Sequence, residues 1–357
     1  MQTRSVRKLA LWTFALLFST LACRAATRLI IPDTPTPAPS PTIPSTATLQ
    51  PTIPAPTATP SFEAACPSLL SEIMTAATTD ETEEEPSIFS KPLEDEQDLS
   101  YMVNYTFKDD KLWKREDFFV PENFDKQLDR RAAHEWIWDY FAAIVPASER
   151  KFVTEFSAIS DGRGSVLGAV SQTFESPTKW ALRIDILDAS DHYSLTFTLM
   201  HEFGHLLTLK PSQVAADELI YYNPDNVDFY ERAAAACPRY FTGEGCSTPE
   251  SYINEFFNRY WTAIYPEWQE IDRTEADAAY YGALRDFYKT YQDQFLTDYA
   301  ATSPEEDIAE SWSFFVLAPR PELNSIADEK ILFFYEYPEL IQLRQEILTR
   351  LCVEFPQ

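Results

Sequence analysis

Residues 196–207 read Thr-Leu-Met-His-Glu-Phe-Gly-His-Leu-Leu-Thr-Leu, an apolar run that carries two histidines four positions apart. Leu195, Leu199, Phe203, Leu206 and Leu207 predict a largely buried helix from Ser194 to Leu209, and Pro211 marks its end. Residues four apart on a helix stand one above the other. His201 and His205 therefore share a face and can grip one metal ion from one side. Glu202, one position on, is close enough to meet a water held there. Two readings fit this segment: a core helix with satisfied histidines, or a rigid, partly dry metal site. The second requires another ligand from elsewhere in the chain.

That ligand is not a histidine close after the pair. The chain has four histidines, His134, His192, His201 and His205. His192 caps or precedes the helix, and His134 lies in a helical segment of acidic and aromatic residues where a structural role is expected. A carboxylate is then needed to complete the two-His, one-Glu set of zinc sites that keep an open position. The best stretch is 299–310, Tyr-Ala-Ala-Thr-Ser-Pro-Glu-Glu-Asp-Ile-Ala-Glu. Ser303 suits an N-cap, Pro304 the first helical position, and Glu305, Glu306 and Asp307 the first turn. Glu306 and Glu310 are four apart, so one can bind metal while the other hydrogen-bonds a ligand histidine. A well-capped amphipathic helix with solvated acids fits the same residues.

HEFGH at 201–205, followed at a distance by Glu306-Asp307-Ile308-Ala309-Glu310, resembles the gluzincin group of metallopeptidases. More closely, it resembles the catalytic domain of anthrax lethal factor and its relatives. The resemblance implies a zincin-like fold and a Zn2+ ion held by His201, His205 and Glu306. It also implies that Glu310 orients a histidine and that Tyr299, seven residues before Glu306, assists catalysis. Glu202 is the expected general base. The spacer between His205 and Glu306 is 100 residues, longer than in the toxin, and no substrate specificity carries over.

The rest of the chain predicts an α+β fold: a small sheet, then the active-site helix and a helix-rich C-terminal part. A helix is expected over Phe124–Ile144, and strands over Lys151–Ile159, Val166–Phe174 and Lys179–Leu187. The third strand is a candidate for pairing with an extended substrate backbone. Further helices are expected over Pro249–Ile264, Thr274–Phe295, Pro304–Leu317 and Pro338–Cys352. Residues 62–357 read as one catalytic unit. Its acidic opening, Asp80–Glu85 and Glu94–Asp98, reads as surface or disordered.

The first 23 residues resemble a lipoprotein signal peptide. Arg4, Arg7 and Lys8 precede the apolar stretch Leu9–Leu21, which is short for a membrane span, and Cys23 is the candidate lipidated residue. Residues 24–61 form a Pro/Thr-rich linker, with ten prolines between 32 and 60. Such a tract cannot bury a core and predicts an extended tether. The reading is a chain exported from a bacterial cell and held to its membrane by the lipid, or secreted after simple cleavage. Four cysteines follow the signal region, and an exported chain favours disulfides over metal thiolates. Three pairings are open; Cys237 with Cys246 closes a short loop, and Cys66 with Cys352 staples the ends. A net charge of −27 argues against nucleic acid or an anionic bilayer as the folded part's partner. These features point to a membrane-anchored zinc metallopeptidase acting on peptides or proteins. The alternative is a surface binding lipoprotein that keeps a peptidase-like fold and cleaves nothing.

Overall fold

Two acidic residues make the first hairpin. Asp109 and Asp110 both adopt positive φ (50° and 63°), the conformation a tight type I′-like reversal needs and one that Asp tolerates. They join β1 (Glu96–Lys108) to β2 (Lys111–Asp117). The structure is a computed structural model that describes residues 66–78, 96–120, 124, 128–162, 166–274 and 277–356. The signal segment with Cys23, the linker and Asp80–Glu85 lie outside the described residues.

Three further strands complete a five-stranded sheet: β3 (Val153–Gly162), β4 (Gly168–Thr173) and β5 (Ser176–Asp185). Their order is β2-β1-β3-β5-β4, with β3 and β5 parallel and the other neighbours antiparallel. β3 is central and buried on both faces, whereas β4 is an edge. A two-stranded ribbon, β6 (Val214–Ala216) with β7 (Gly245–Ser247), follows later in the chain.

Helices supply the rest. They are α1 (Pro67–Thr78), α2 (Arg131–Ile144), α3 (His192–Leu209), α4 (Glu218–Tyr222), α5 (Val227–Ala236) and α6 (Tyr252–Phe256). After a π-helical turn at Phe257–Trp261 come α7 (Tyr265–Asp272), α8 (Asp277–Thr290), α9 (Pro304–Leu317), α10 (Ile326–Phe334) and α11 (Pro338–Glu354). The molecule is thus mixed α+β, with its sheet first and helices dominating the C-terminal part. Apolar residues from sheet and helices, including Trp138, Trp180, Phe203, Trp261 and Trp312, join in a contiguous core. α3 runs through it buried on nearly every side, as an all-round apolar helix must.

Both expected cross-links are present, Cys66–Cys352 and Cys237–Cys246. Two disulfides are the chemistry of an exported chain. Among the described residues no helix is long and apolar enough to cross a membrane.

Several boundaries differ from expectation. α2 begins at Arg131 rather than Phe124, because Arg130 leaves helical backbone (φ −83°, ψ 44°). The segment expected as one helix from Pro249 starts only after the Ser251 cap and passes into the π turn. α8 stops at Thr290, short of Phe295. Residues 96–98, read as acidic surface or disordered, open strand β1.

Candidate metal centre

Two helices carry the centre, and two small residues let them meet. A Cβ added to Gly204 would lie 3.0 Å from Ala309 Cα and 3.1 Å from Trp312 Cδ1. Gly204 of α3 therefore lies against Ala309 of α9 with no room for a side chain between them. Each sits inside a motif, between the histidines or before Glu310. The letters that do not carry chemistry thus set the spacing of those that do.

The end of α9 that points at α3 is built locally as expected. Ser303 caps the helix, its Oγ accepting from the Glu306 N–H at 3.1 Å, and Pro304 opens the first turn. α3 is capped by Asp191, with His192 its first helical residue. Across this junction His201 Nε2, His205 Nε2 and Glu306 Oε2 form a triangle with sides of 2.9, 3.0 and 3.1 Å. Glu310 lies on the far side of His201, its Oε1 2.8 Å from Nδ1. A carboxylate only accepts, so Nδ1 carries the proton and a neutral His201 turns the Nε2 lone pair into the triangle. Thr297 Oγ1 donates to the other Glu310 oxygen at 2.9 Å and fixes that carboxylate.

Three electron-pair donors aimed at one point can hold a cation between them. Ligand atoms at tetrahedral zinc distances sit about 3.3 Å apart, so the triangle needs to open by only a few tenths of an ångström. Glu202 gives a second sign. It is 5% exposed, and among the described residues its Oε2 has no hydrogen-bond partner. Burial pushes its carboxyl pKa up, against the pull of His205 and His201. The buried His201, His205 and Glu306 can hold a metal ion, and an orphaned carboxylate oxygen stands beside them.

Electrostatics within the triangle are lopsided. Burial disfavours charge on Glu306, yet His205 and His201 outweigh it and hold its pKa below the usual carboxylate range. Tyr299 lies in a 3-10 turn with its ring 5.7 Å from that of His201. Burial of its hydroxyl, then the charges of Glu306, Glu202 and Glu310, raise its pKa well above that of an ordinary phenol. It keeps its proton and can donate.

Other residues escaped the sequence reading. Gly168, at the start of edge strand β4, passes over α3 so closely that a Cβ there would come 3.0 Å from Thr198 and 3.1 Å from Glu202. Asp307 and Lys330, both fully buried, pair beside Glu306, and Trp261 Nε1 donates to Asp307 at 2.7 Å. That pair ties the first turn of α9 to α10 and the π turn. A second carboxylate group, Asp161, Asp185 and Asp188, gathers beyond β5. Asp185 accepts from the N–H groups of Asp161 (3.0 Å) and Leu187 (2.7 Å), and Asp161 from that of Val166 (3.0 Å), which braces those loops. His134 is structural, sharing a 2.9 Å hydrogen bond with the Tyr105 hydroxyl.

Compared with known proteins, the chain matches no family model, no curated protein and no solved structure.

Proposed function

We propose that this chain is a zinc-dependent peptidase of gluzincin type with a zincin-like fold, exported and held to the membrane through Cys23. The observation that carries the reading is the pairing of a three-donor triangle with a buried, unpartnered Glu202 oxygen beside it. A structural metal site satisfies its neighbours and has no need of such a group. His201, His205 and Glu306 would hold the ion, which when bound supplies Lewis acidity to a water and to the scissile carbonyl.

The chain's own groups then divide the work. Glu202 takes the proton of the attacking water and passes it to the leaving amine nitrogen. Tyr299 donates its hydroxyl to the carbonyl oxygen as negative charge builds there. Glu310, locked by Thr297, keeps the His201 proton on Nδ1 and so keeps the opposite nitrogen available. β5, the strand first considered for substrate pairing, has β3 on one side and β4 on the other, so its backbone groups are spent. The edge strand beside α3 is β4, which starts over Glu202 at Gly168. An extended peptide added to that edge would run past the base.

The test is cleavage of a mixed peptide library by wild type, Glu202→Gln and Tyr299→Phe at matched zinc occupancy. Glu202→Gln keeps shape and metal but loses the base, so activity should fall about 10²- to 10⁴-fold. Tyr299→Phe should lose roughly 10²- to 10³-fold. A chelator should abolish wild-type activity and zinc restore it. If zinc-loaded wild type cuts nothing, the chain is a binding protein on a peptidase-like fold. If Glu202→Gln cuts as fast as wild type, this mechanism is wrong.

A further inference from the structure

One charged pair in the core takes no part in the chemistry above, yet stands next in sequence to the third ligand. Asp307 and Lys330 are both fully buried, with Nζ donating to Oδ2 at 2.5 Å. Trp261 Nε1, delivered by the π turn, donates to the same oxygen at 2.7 Å. Lys330 also donates to the Gln294 carbonyl at 2.5 Å. We propose that Lys330 is a positioning residue of the metal centre, holding the Glu306 carboxylate in its place opposite the histidines through Asp307 and Gln294. The inference rests on the reading of His201, His205 and Glu306 as metal ligands, and not on what the metal then does.

Stability alone does not explain an ion pair at this place. Taking both charges out of water is costly, and apolar side chains of the same volume often serve as well or better. An apolar side chain, however, cannot tie one segment to another. An ammonium carries three donors, and Lys330 spends two of them on acceptors from different parts of the chain. Gln294 closes a 3-10 turn, Gln292–Gln294, and leads into the segment that carries Thr297 and Tyr299. Asp307 lies in the first turn of α9, which carries Glu306 and, one turn on, Glu310. The rings of Phe295, Phe256 and Tyr260 surround Nζ at 4.4, 5.8 and 5.8 Å and favour its charge.

The lever is rotation of α9. Successive helical residues stand about 100° apart around the axis. Asp307 therefore meets α10 and the π turn while Glu306 meets α3. A carboxylate lies roughly 5–6 Å from the axis, so a turn of about 10° moves it about 1 Å. The triangle has sides of 2.9, 3.0 and 3.1 Å, and such a constellation has to be held to within about 0.5 Å. Gly204 against Ala309 limits how far apart the two helices lie, and Lys330 with Trp261 sets how α9 is turned.

Metal affinity set against melting temperature separates positioning from folding. Asp307→Asn/Lys330→Met removes both charges together, so no lone ion stays buried, and its metal-free melting temperature should remain close to that of wild type. Its zinc affinity should fall at least about tenfold, the scale for groups that orient a ligand, and the visible spectrum of its cobalt form should change. Trp261→Phe, which removes one donor and keeps a ring, should lose zinc affinity by a smaller factor. Arg344→Met is the control, since Arg344 is a buried cation that donates to the Phe315 and Ala318 carbonyls at the other end of α9. It should lower the melting temperature while zinc affinity holds. A folded double variant with the zinc affinity and cobalt spectrum of wild type overturns the proposal, as does an equal loss of zinc in Arg344→Met. If the double variant does not fold, wild-type zinc affinity in Trp261→Phe overturns it instead. Wild type that holds zinc but cleaves no library peptide removes the peptidase and leaves the positioning role standing, whereas wild type that holds neither zinc nor cobalt removes both.

Discussion

His201 uses its two ring nitrogens for different tasks, and its protonation follows from that division. Burial opposes a charge on the ring, but Glu306 and Glu310 outweigh it and raise the pKa well above the ordinary value. Burial opposes charge on His205 too, and Glu306 again prevails. Without a cation both rings hold a proton more readily than a free imidazole, and a metal must compete with it. Zinc affinity should rise with pH, and binding should release protons. Calorimetry in buffers of different ionisation enthalpy counts them, and no release would contradict the assignment. Substitutions sort the neighbouring acids. Glu306→Ala should lose its zinc on dialysis while Glu305→Ala, which removes a group facing Tyr240, retains it. Glu310→Ala should weaken zinc binding about 10- to 100-fold, the scale for a group that holds a ligand in place. Equal zinc retention by the Glu306 and Glu305 variants would mean the register is wrong. These positions were legible in the sequence because four-residue spacing on a helix converts directly into a shared face. Thr297 was not, since nothing local announces that its hydroxyl reaches Glu310.

Helices set the site's tolerance, and the α3–α9 crossing leaves little of it. Gly204→Ala puts a methyl 3.0 Å from Ala309 Cα, which is backbone and cannot swing away. The helices must part by a few tenths of an ångström, at a stability cost of about 1–3 kcal/mol. His201 and His205 move with one helix and Glu306 with the other. Zinc affinity should then drop by more than tenfold while circular dichroism stays that of wild type. Unchanged zinc affinity in a folded Gly204→Ala protein would show that the crossing does not set ligand spacing. The strands were less legible than the helices. β3, β4 and β5 were expected close to where they lie, but β1 and β2 were not. β1 follows an acidic run that reads as surface, although Met102, Val103 and Tyr105 are fully buried. β2 is a charged edge strand with only Leu112 inside, so alternation barely shows. The Asp109-Asp110 pair was the available signal, a positive-φ reversal between two extended runs. The fate of β5 was illegible for another reason: strand order is a long-range property, and no local pattern says which strand lies at an edge.

The two disulfides act on the molecule at very different ranges, and that difference makes a prediction. Cys66–Cys352 joins positions 286 residues apart, whereas Cys237–Cys246 joins positions 9 apart. In the chain-entropy picture the long closure removes more freedom from the unfolded chain, up to about 5 kcal/mol against roughly 3 kcal/mol for the short one. The long link also has a local effect. It fastens α1 to α11, and α1 packs on α3, burying Ile73 completely. Cys66→Ser/Cys352→Ser should thus lower the melting temperature more than Cys237→Ser/Cys246→Ser does. A difference of several degrees is expected, at roughly 2 °C per kcal/mol for a chain of this size. Thermal unfolding of both double variants reads the two outcomes side by side. If the short-loop variant melts lower than the long-link variant, the ranking by closure length is refuted.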